Sequence, residues 1–396
     1  MLSARIDQDA RGEASFRFDA ARDFEVRVER KTSDTEWFEL AWEEQKRPFD
    51  MGAGPLVKFV LLRSDDSADL VAICHHIICD GLSIAYLLRD IARFLKAPPT
   101  SVDPLPAPPS ISNENFVIKA APGFFLQAVI GYLNRAWAPA KTLFDEGQYR
   151  QLYEAYWKAR DVRGVHISLS KDATAALVAR CRAERTTVNS ALAAAFALAQ
   201  YDLQGRRDPY LRKALVAINI RQWFVEPPGE NFGFLAAGAE VVLPANAGDF
   251  WEFSRACNTA IKKRLTPKKV LEAMATLNYI APSLLDAIYF AAYGAFQNKT
   301  VDRLKGLVLT RDGKPRRSLD VTNIGVFDVE DSEDFAGLYF VPILSPNYEK
   351  AIGIATSCGQ LNINLLHDCA QISASNVEDF KRRAMEYIEA SVAGRR

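Results

Sequence analysis

The heptad His75-His76-Ile77-Ile78-Cys79-Asp80-Gly81 follows directly on the apolar run Asp69-Leu70-Val71-Ala72-Ile73-Cys74. It precedes a segment in which Leu82, Ala85, Leu88, Ile91 and Leu95 recur at spacings of three and four. The order reads as strand, tight turn and amphipathic helix. It puts two of the chain's four histidines at a sheet edge, within reach of a substrate. A general base must be neutral at working pH and must aim a ring nitrogen at the proton it takes; histidine meets the first condition and a rigid strand end supplies the second. Asp80 can fix the loop by accepting hydrogen bonds or pairing with an arginine, and Gly81 suits a sharply turning backbone. The alternative is a pair of structural histidines before an ordinary Asp-Gly turn.

A chain of 396 residues is too long for one ordinary core and predicts two domains or two halves of a large α/β unit. Forty-nine basic residues balance forty-nine acidic ones, so no global field draws in nucleic acid or an anionic membrane. Six scattered cysteines (Cys74, Cys79, Cys181, Cys257, Cys358, Cys369) without a Cys-x-x-Cys read as reduced thiols of a cytoplasmic protein. The apolar runs Gly123 to Trp137 and Pro282 to Phe296 fall short of a bilayer span. Asn134, Arg135 and Asp286 interrupt them, which favours buried or cleft-lining helices over peripheral membrane contact.

Ser15–Phe18 and Phe24–Val28 alternate as half-buried strands do, and Trp37 to Lys46 reads as a helix stopped by Pro48. Gly52-Ala53-Gly54-Pro55 turns the chain into the strand Leu56 to Arg63, which forms an antiparallel hairpin with Asp69–Cys74. After the helix that starts near Ser83, six prolines between Pro98 and Ser112 mark a linker or crossover. Beyond it follow a strand at Val165–Leu169, a helix from Asp172 to Glu184, and a helix capped at Thr186-Thr187-Val188-Asn189 that runs to Tyr201. Strands at Ala214–Ile220 and Glu240–Leu243, one long helical region from Asp249 to Phe296, strands near Leu319–Phe327, Ile352–Thr356 and Leu361–Leu366, and a helix from Asn376 to Val392 complete the reading. Two successive strand and helix groups predict an α/β fold of two lobes with mixed sheets, 1–160 and 161–396.

Arg47-Pro48-Phe49-Asp50, Gly54-Pro55-Leu56 and the hairpin into His75-His76-x-x-x-Asp80-Gly81-x-Ser83 together resemble the acyltransferase superfamily that includes chloramphenicol acetyltransferase and the condensation domains of non-ribosomal peptide synthetases. Thr187-Val188-Asn189-Ser190-Ala191-Leu192, Asn219-Ile220-Arg221 and Thr322-Asn323-Ile324-Gly325 resemble segments of polyketide-associated and alcohol acyltransferases, in the same order along the chain. The resemblance implies two chloramphenicol-acetyltransferase-like lobes in a V, with a channel that admits an acyl thioester from one face and an acceptor from the other. It implies that His76, the second histidine, deprotonates or orients the acceptor, that His75 and Gly81 complete the motif, and that Asp80 holds the loop through a salt bridge.

Arg221 is the candidate partner of Asp80, its alternative being a solvated arginine at a strand end. Thr322 and Asn323 are candidate donors to the oxyanion, their alternative being an ordinary strand end with a turn. Ser83 either caps the helix or lines the channel, the cap being preferred. The basic run Lys262-Lys263-Arg264 with Lys268-Lys269 is either a phosphate-binding patch for coenzyme A or a carrier arm, or a solvated helix face.

No nucleophile elbow, phosphate-cradling glycine loop or His-Glu-x-x-His pair occurs, and a metal site is not expected. The expected co-substrate is acyl-coenzyme A or an acyl carrier protein, with no bound cofactor, and the expected acceptor is a small-molecule or lipid alcohol or amine. Members of the superfamily begin with further residues ahead of the segment matching Leu2-Ser3-Ala4-Arg5, so a shortened start or a strand supplied by a partner chain is expected. The reading is an acyltransferase making an ester in lipid or secondary metabolite biosynthesis. Its rivals are a free-standing condensation enzyme making an amide and a non-catalytic binding module of the same fold.

Overall fold

The computed structural model describes residues 1–9, 13–18, 24–101, 109–158, 160–206, 208–245, 248–310, 313–329 and 334–393. Strands β1 (Arg5–Gln8) and β2 (Ala14–Arg17) form a small antiparallel ladder. β2 is exposed along its length, so its alternation does not mark a half-buried sheet; Phe16 and Phe18 instead lie beside each other, ring centroids 6.5 Å apart. Next, β3 (Val26–Arg30) runs parallel to β4 (Val57–Arg63), and β4 pairs antiparallel with β5 (Ala68–Cys74) as the hairpin pattern predicts. Helix α1 (Glu36–Glu43) precedes that hairpin and ends in a tight turn at Glu44–Lys46, ahead of Pro48. Helix α2 (Gly81–Lys96) follows it.

Helices α3 (Phe124–Trp137) and α4 (Glu146–Lys158) come after the proline-rich stretch, whose residues 102–108 lie outside those described. The rest of the chain builds a six-stranded mixed sheet from β6 (Val162–Leu169), β7 (Lys213–Asn219), β8 (Ala236–Val242), β9 (Arg317–Val326), β10 (Tyr348–Ser357) and β11 (Gln360–Asp368), in the order β6-β11-β10-β9-β7-β8. β9 is parallel to β7 and β10, and the other three pairings are antiparallel.

Four helices cover one face of this sheet: α5 (Lys171–Ala183), α6 (Val188–Gln204), α7 (Phe250–Arg264) and, named below, the last helix of the chain. α6 is buried from Ser190 to Tyr201, its alanines letting it lie close against the strands. The long helical region expected from Asp249 to Phe296 is divided into three helices, because α8 (Pro267–Leu277) and α9 (Pro282–Ala292) each begin with a proline, which suits a helix's first turn and disrupts its interior. The short α10 (Lys299–Asp302) and the terminal α11 (Ala374–Val392) complete the set. Leu319 and Val321 of β9, Ile352 and Ile354 of β10, and Phe196 and Phe380 of the helices share this core.

The opposite face joins the two sheets. Trp37, Phe38 and Trp42 of α1 pack between Val60, Leu62 and Val71 of the three-stranded sheet and Val162, Ala351 and Leu366 of the six-stranded one. A Cβ at Gly164 would lie 2.5 Å from the Phe38 ring, so only glycine admits that ring against β6. Further along, Phe116 and Ala120 pack on Ile220, Trp223, Phe224 and Leu235. α9 is buried, as expected, but α3 buries only Ile130 and Trp137 and turns Phe124 and Phe125 to solvent. The expectation of a buried or cleft-lining helix therefore fails on that face of α3.

Candidate functional site

The histidine heptad leaves β5 through a backbone turn in which the Ile78 amide donates to the His75 carbonyl at 3.1 Å, while the His75 amide donates to Leu56 at 2.9 Å. His75 turns inward against Phe49, and its Nδ1 accepts from the Ile77 amide at 3.2 Å. Burial, then the neighbouring His76, pushes its pKa down to about 4, so His75 is a neutral, structural ring. His76 turns outward. Its Nδ1 lies 2.8 Å from the Cys79 carbonyl, which only accepts, so in the neutral ring Nδ1 carries the proton and Nε2 holds the lone pair. Nε2 has no partner among the described residues, and the ring stands nearly perpendicular to that of Phe234, centroids 4.9 Å apart.

Asp80 is buried and extended, and it is the N-cap of α2: its Oδ1 accepts from the Ser83 amide at 2.8 Å. Ser83 is thus capped rather than capping. Its hydroxyl is fully buried and donates to the Gly233 carbonyl at 2.8 Å, so it does not line a channel either. The guanidinium of Arg221 grips Asp80 with two nitrogens, at 2.8 and 3.2 Å, and donates to Ser83 Oγ at 2.8 Å. The Leu235 amide adds a fourth bond to the carboxylate at 2.9 Å, and the Asp80 amide donates to Gly233 at 3.2 Å. A side chain 141 positions downstream therefore holds the loop that carries His76, and the solvated alternative for Arg221 is excluded by its burial.

Gly81 is the first residue of α2 and has no positive φ. A Cβ there would approach Phe340 Cε2 to 2.9 Å and Ile324 Cγ2 to 3.0 Å. Close packing of α2 against β9 and the 335–342 segment, not a sharp turn, is what requires glycine.

α2 and the end of β9 border an open pocket of about 500 Å³, lined by Leu82, Tyr86, Arg89 and Arg93, by Asn323 to Asp328, and by Asn219 and Glu230. Asn323 Oδ1 accepts from the Gly325 amide at 2.8 Å, which leaves its amide nitrogen as a donor. Asn219 Oδ1 accepts from the Arg221 amide at 3.0 Å, with the same consequence. Thr322 is not in this lining; its hydroxyl points to Asp320 Oδ2 at 3.4 Å. Asp320 is itself buried, its Oδ1 lacks a partner among the described residues, and desolvation pushes its pKa up to about 7. His76 is not a wall of the pocket. At the rim, Arg89 binds both oxygens of Glu230, one of them at 2.8 Å, and holds that carboxyl below the usual range.

The loop from Gly229 to Leu235 was not singled out in sequence, although Asn231, Gly233 and Leu235 all meet the motif's network. It has no periodicity to announce it; the dipeptide Pro228-Gly229 is its sole signal. The basic run at Lys262 to Lys269 lies at the junction of α7 and α8, where Arg264 donates to Glu240 and Lys269 to Lys263. It takes no part in the pocket. Among the described residues no cluster of three metal-ligating side chains occurs, and no helix is long and apolar enough to cross a membrane.

Residues 1–116 match the family model of the condensation domain, and residues 158–286 match that of the phthiocerol/phthiodiolone dimycocerosyl transferase C-terminus. Phosphinothricin tripeptide synthetase PhsC of Streptomyces viridochromogenes is 44% identical over 72 residues, covering 17% of this chain and 7% of that protein. The chain thus spans a small fraction of that relative's length. The epimerization domain from the third module of tyrocidine synthetase B superposes with a TM-score of 0.61 at 16% identity, over 99% of this chain and 85% of that one. The TRI3 trichothecene 15-O-acetyltransferase of Fusarium sporotrichioides gives 0.61 at 12% identity, over 98% and 83%. The histidine heptad falls within the first matched region and its arginine clamp within the second, on a two-lobed α/β fold. Two separate stretches of the chain thus match family models, a condensation domain over residues 1–116 and a dimycocerosyl transferase C-terminus over residues 158–286, and the chain as a whole shares the fold of these solved structures.

Proposed function

We propose that the protein is an acyltransferase that moves an acyl group from a thioester of coenzyme A or a carrier protein to a hydroxyl acceptor, with His76 as general base. The observation that carries this is the tautomer: with Nδ1 spent on the Cys79 carbonyl, Nε2 is a fixed and unclaimed acceptor at an exposed position. The acceptor O–H gives its proton to Nε2 as the oxygen attacks the thioester carbonyl. The tetrahedral intermediate then expels the thiolate, which takes the proton back from the imidazolium, leaving an ester and a free thiol. Asp80 and Arg221 act as positioning residues, because they set the backbone of which the Cys79 carbonyl is part. His75 backs the loop from inside, Gly81 lets α2 seat, and Ser83 ties α2 to Gly233.

Asn323 lines the pocket and keeps its amide nitrogen to donate, which makes it the better candidate for the oxyanion. Thr322 is a weaker one, with its hydroxyl engaged by Asp320. In this reading the lobes are 1–160 and 161–396, the enzyme works in the cytoplasm on secondary metabolites or lipids, and neither metal nor bound cofactor takes part. The match to the dimycocerosyl transferase C-terminus supports ester formation, and the match of residues 1–116 to the condensation domain supports amide formation as the second reading. Fold likeness does not choose, since the same fold includes an epimerization domain and an O-acetyltransferase. Offering pooled alcohols and amines with acyl-coenzyme A and acyl-carrier donors, and identifying the product by mass spectrometry, tests the reading. An ester supports it, and an amide from the same donors replaces it with the condensation reading.

A further inference from the structure

The outer face of α3 is apolar, cationic at its margin and fixed in place. At 100° per residue, Phe124, Phe125, Val129, Tyr132 and Arg135 fall on one arc of about 140°, opposite Ile130, Leu133 and Trp137. Phe124 is 88% and Phe125 82% exposed, with Val129 and Tyr132 also turned outward. The inner face cannot roll to cover them. Asn134 donates to the Tyr279 carbonyl at 2.8 Å and accepts from the Ala281 amide at 3.0 Å, and Trp137 Nε1 donates to Ser283 Oγ at 3.1 Å. The exposed rings are thus presented by a bolted helix. The apolar surface continues nearby in Leu277 and Tyr279, both exposed, whose segment Asn134 clamps.

Charge selects the occupant. From Phe116 to Phe144 the chain has no Asp or Glu, and its charged side chains are Lys119, Arg135 and Lys141, all exposed. A second copy packed by two-fold symmetry would bring this patch onto itself and set cations against cations. An anionic bilayer meets both needs, since phenyl rings enter the acyl boundary while lysine and arginine stay among the headgroups. We propose that α3 seats the protein peripherally on an anionic lipid surface, with Phe124 and Phe125 inserted. The inference is independent of the acyl acceptor and donor.

Flotation of the full chain with phosphatidylcholine vesicles, with and without phosphatidylglycerol, tests it. The native chain is expected to float with the anionic vesicles, on the order of a hundredfold more tightly than with neutral ones for three cations. Phe124→Ser/Phe125→Ser, both sites being fully outward, should lose at least about tenfold while keeping the native melting temperature. Lys119→Glu/Arg135→Glu should abolish the preference for anionic lipid. Failure to float with any vesicle, or equal binding by native chain and the serine variant, overturns the proposal. A lipid-free dimer that the serine variant dissolves also overturns it, and assigns the face to a second copy.

Discussion

Removing Arg221 probes the device that ties the two halves of the site together. In the native chain its guanidinium spends two nitrogens on Asp80 and one of them also on Ser83 Oγ, with both charges nearly excluded from water. Arg221→Ala leaves the Asp80 carboxylate buried with only the Ser83 and Leu235 amides. Breaking one side of a buried pair costs about 3–5 kcal/mol. With an unfolding entropy of roughly 2.1 cal/mol/K per residue, 396 residues give about 0.8 kcal/mol/K, so a chain that unfolds as one unit should melt roughly 4–6 °C lower.

Urea denaturation followed by circular dichroism reads the free energy, and scanning calorimetry the temperature. The loss should shrink in Asp80→Asn/Arg221→Met, where no charge is stranded, so that the two single losses exceed the double. Arg221→Lys should recover little, because an ammonium cannot span both carboxylate oxygens and the serine. A loss below about 1 kcal/mol in Arg221→Ala, or strict additivity in the cycle, would refute the clamp.

Three further outcomes follow from the site. His75 sits at about 4 in the fold against 6.5 when free, so between those values the unfolded chain binds the extra proton, and stability falls as pH drops from 6.5 toward 4, by about 3 kcal/mol at 1.36 per unit. His75→Gln should flatten that part of the stability profile in urea titrations at pH 7 and pH 4.5; an unaltered slope sinks the idea. Asp320 has the opposite sign: its folded pKa of about 7 stands above 3.8, so its contribution is present in acid and is lost as pH rises through 7. Asp320→Asn should therefore be more stable than the native chain at pH 8, by about 1–4 kcal/mol, and converge with it below pH 4. Gly81→Ala drives a methyl into Phe340 and Ile324 and should cost about 1–3 kcal/mol together with turnover, by chemical denaturation and steady-state assay.

The strand, turn and helix around the histidines were legible because period and turn chemistry agree over Asp69 to Leu95. The Asp80–Arg221 pair was reached through the resemblance, which implies a salt bridge at Asp80 and matches Asn219-Ile220-Arg221 to a strand end; the structure joins the two side chains. The reasons given to single residues were less legible. Gly81 looked like a turn residue and proved to be a packing residue, a distinction set by Phe340, which is 259 positions away and invisible to local patterns. Ser83 looked like a cap because serine often is one, yet the carboxylate three positions earlier took that place. The 229–235 loop was missed because backbone amides and carbonyls do its work, and any residue carries those. On α3, periodicity counted the apolar residues but could not say that both faces were apolar, with only one covered.

The central claim is that His76 Nε2 takes the acceptor's proton. Thiol release from an acyl-coenzyme A or acyl-carrier donor at saturating acceptor, compared between the native chain and His76→Ala, tests it most directly. Because the ring is exposed and, among the described residues, its one hydrogen bond is to the Cys79 carbonyl, the variant should keep its fold. The account predicts acceptor-dependent release that falls by roughly 10²–10⁴-fold in the variant at unchanged melting temperature. Release that persists undiminished in a folded His76→Ala protein would contradict it.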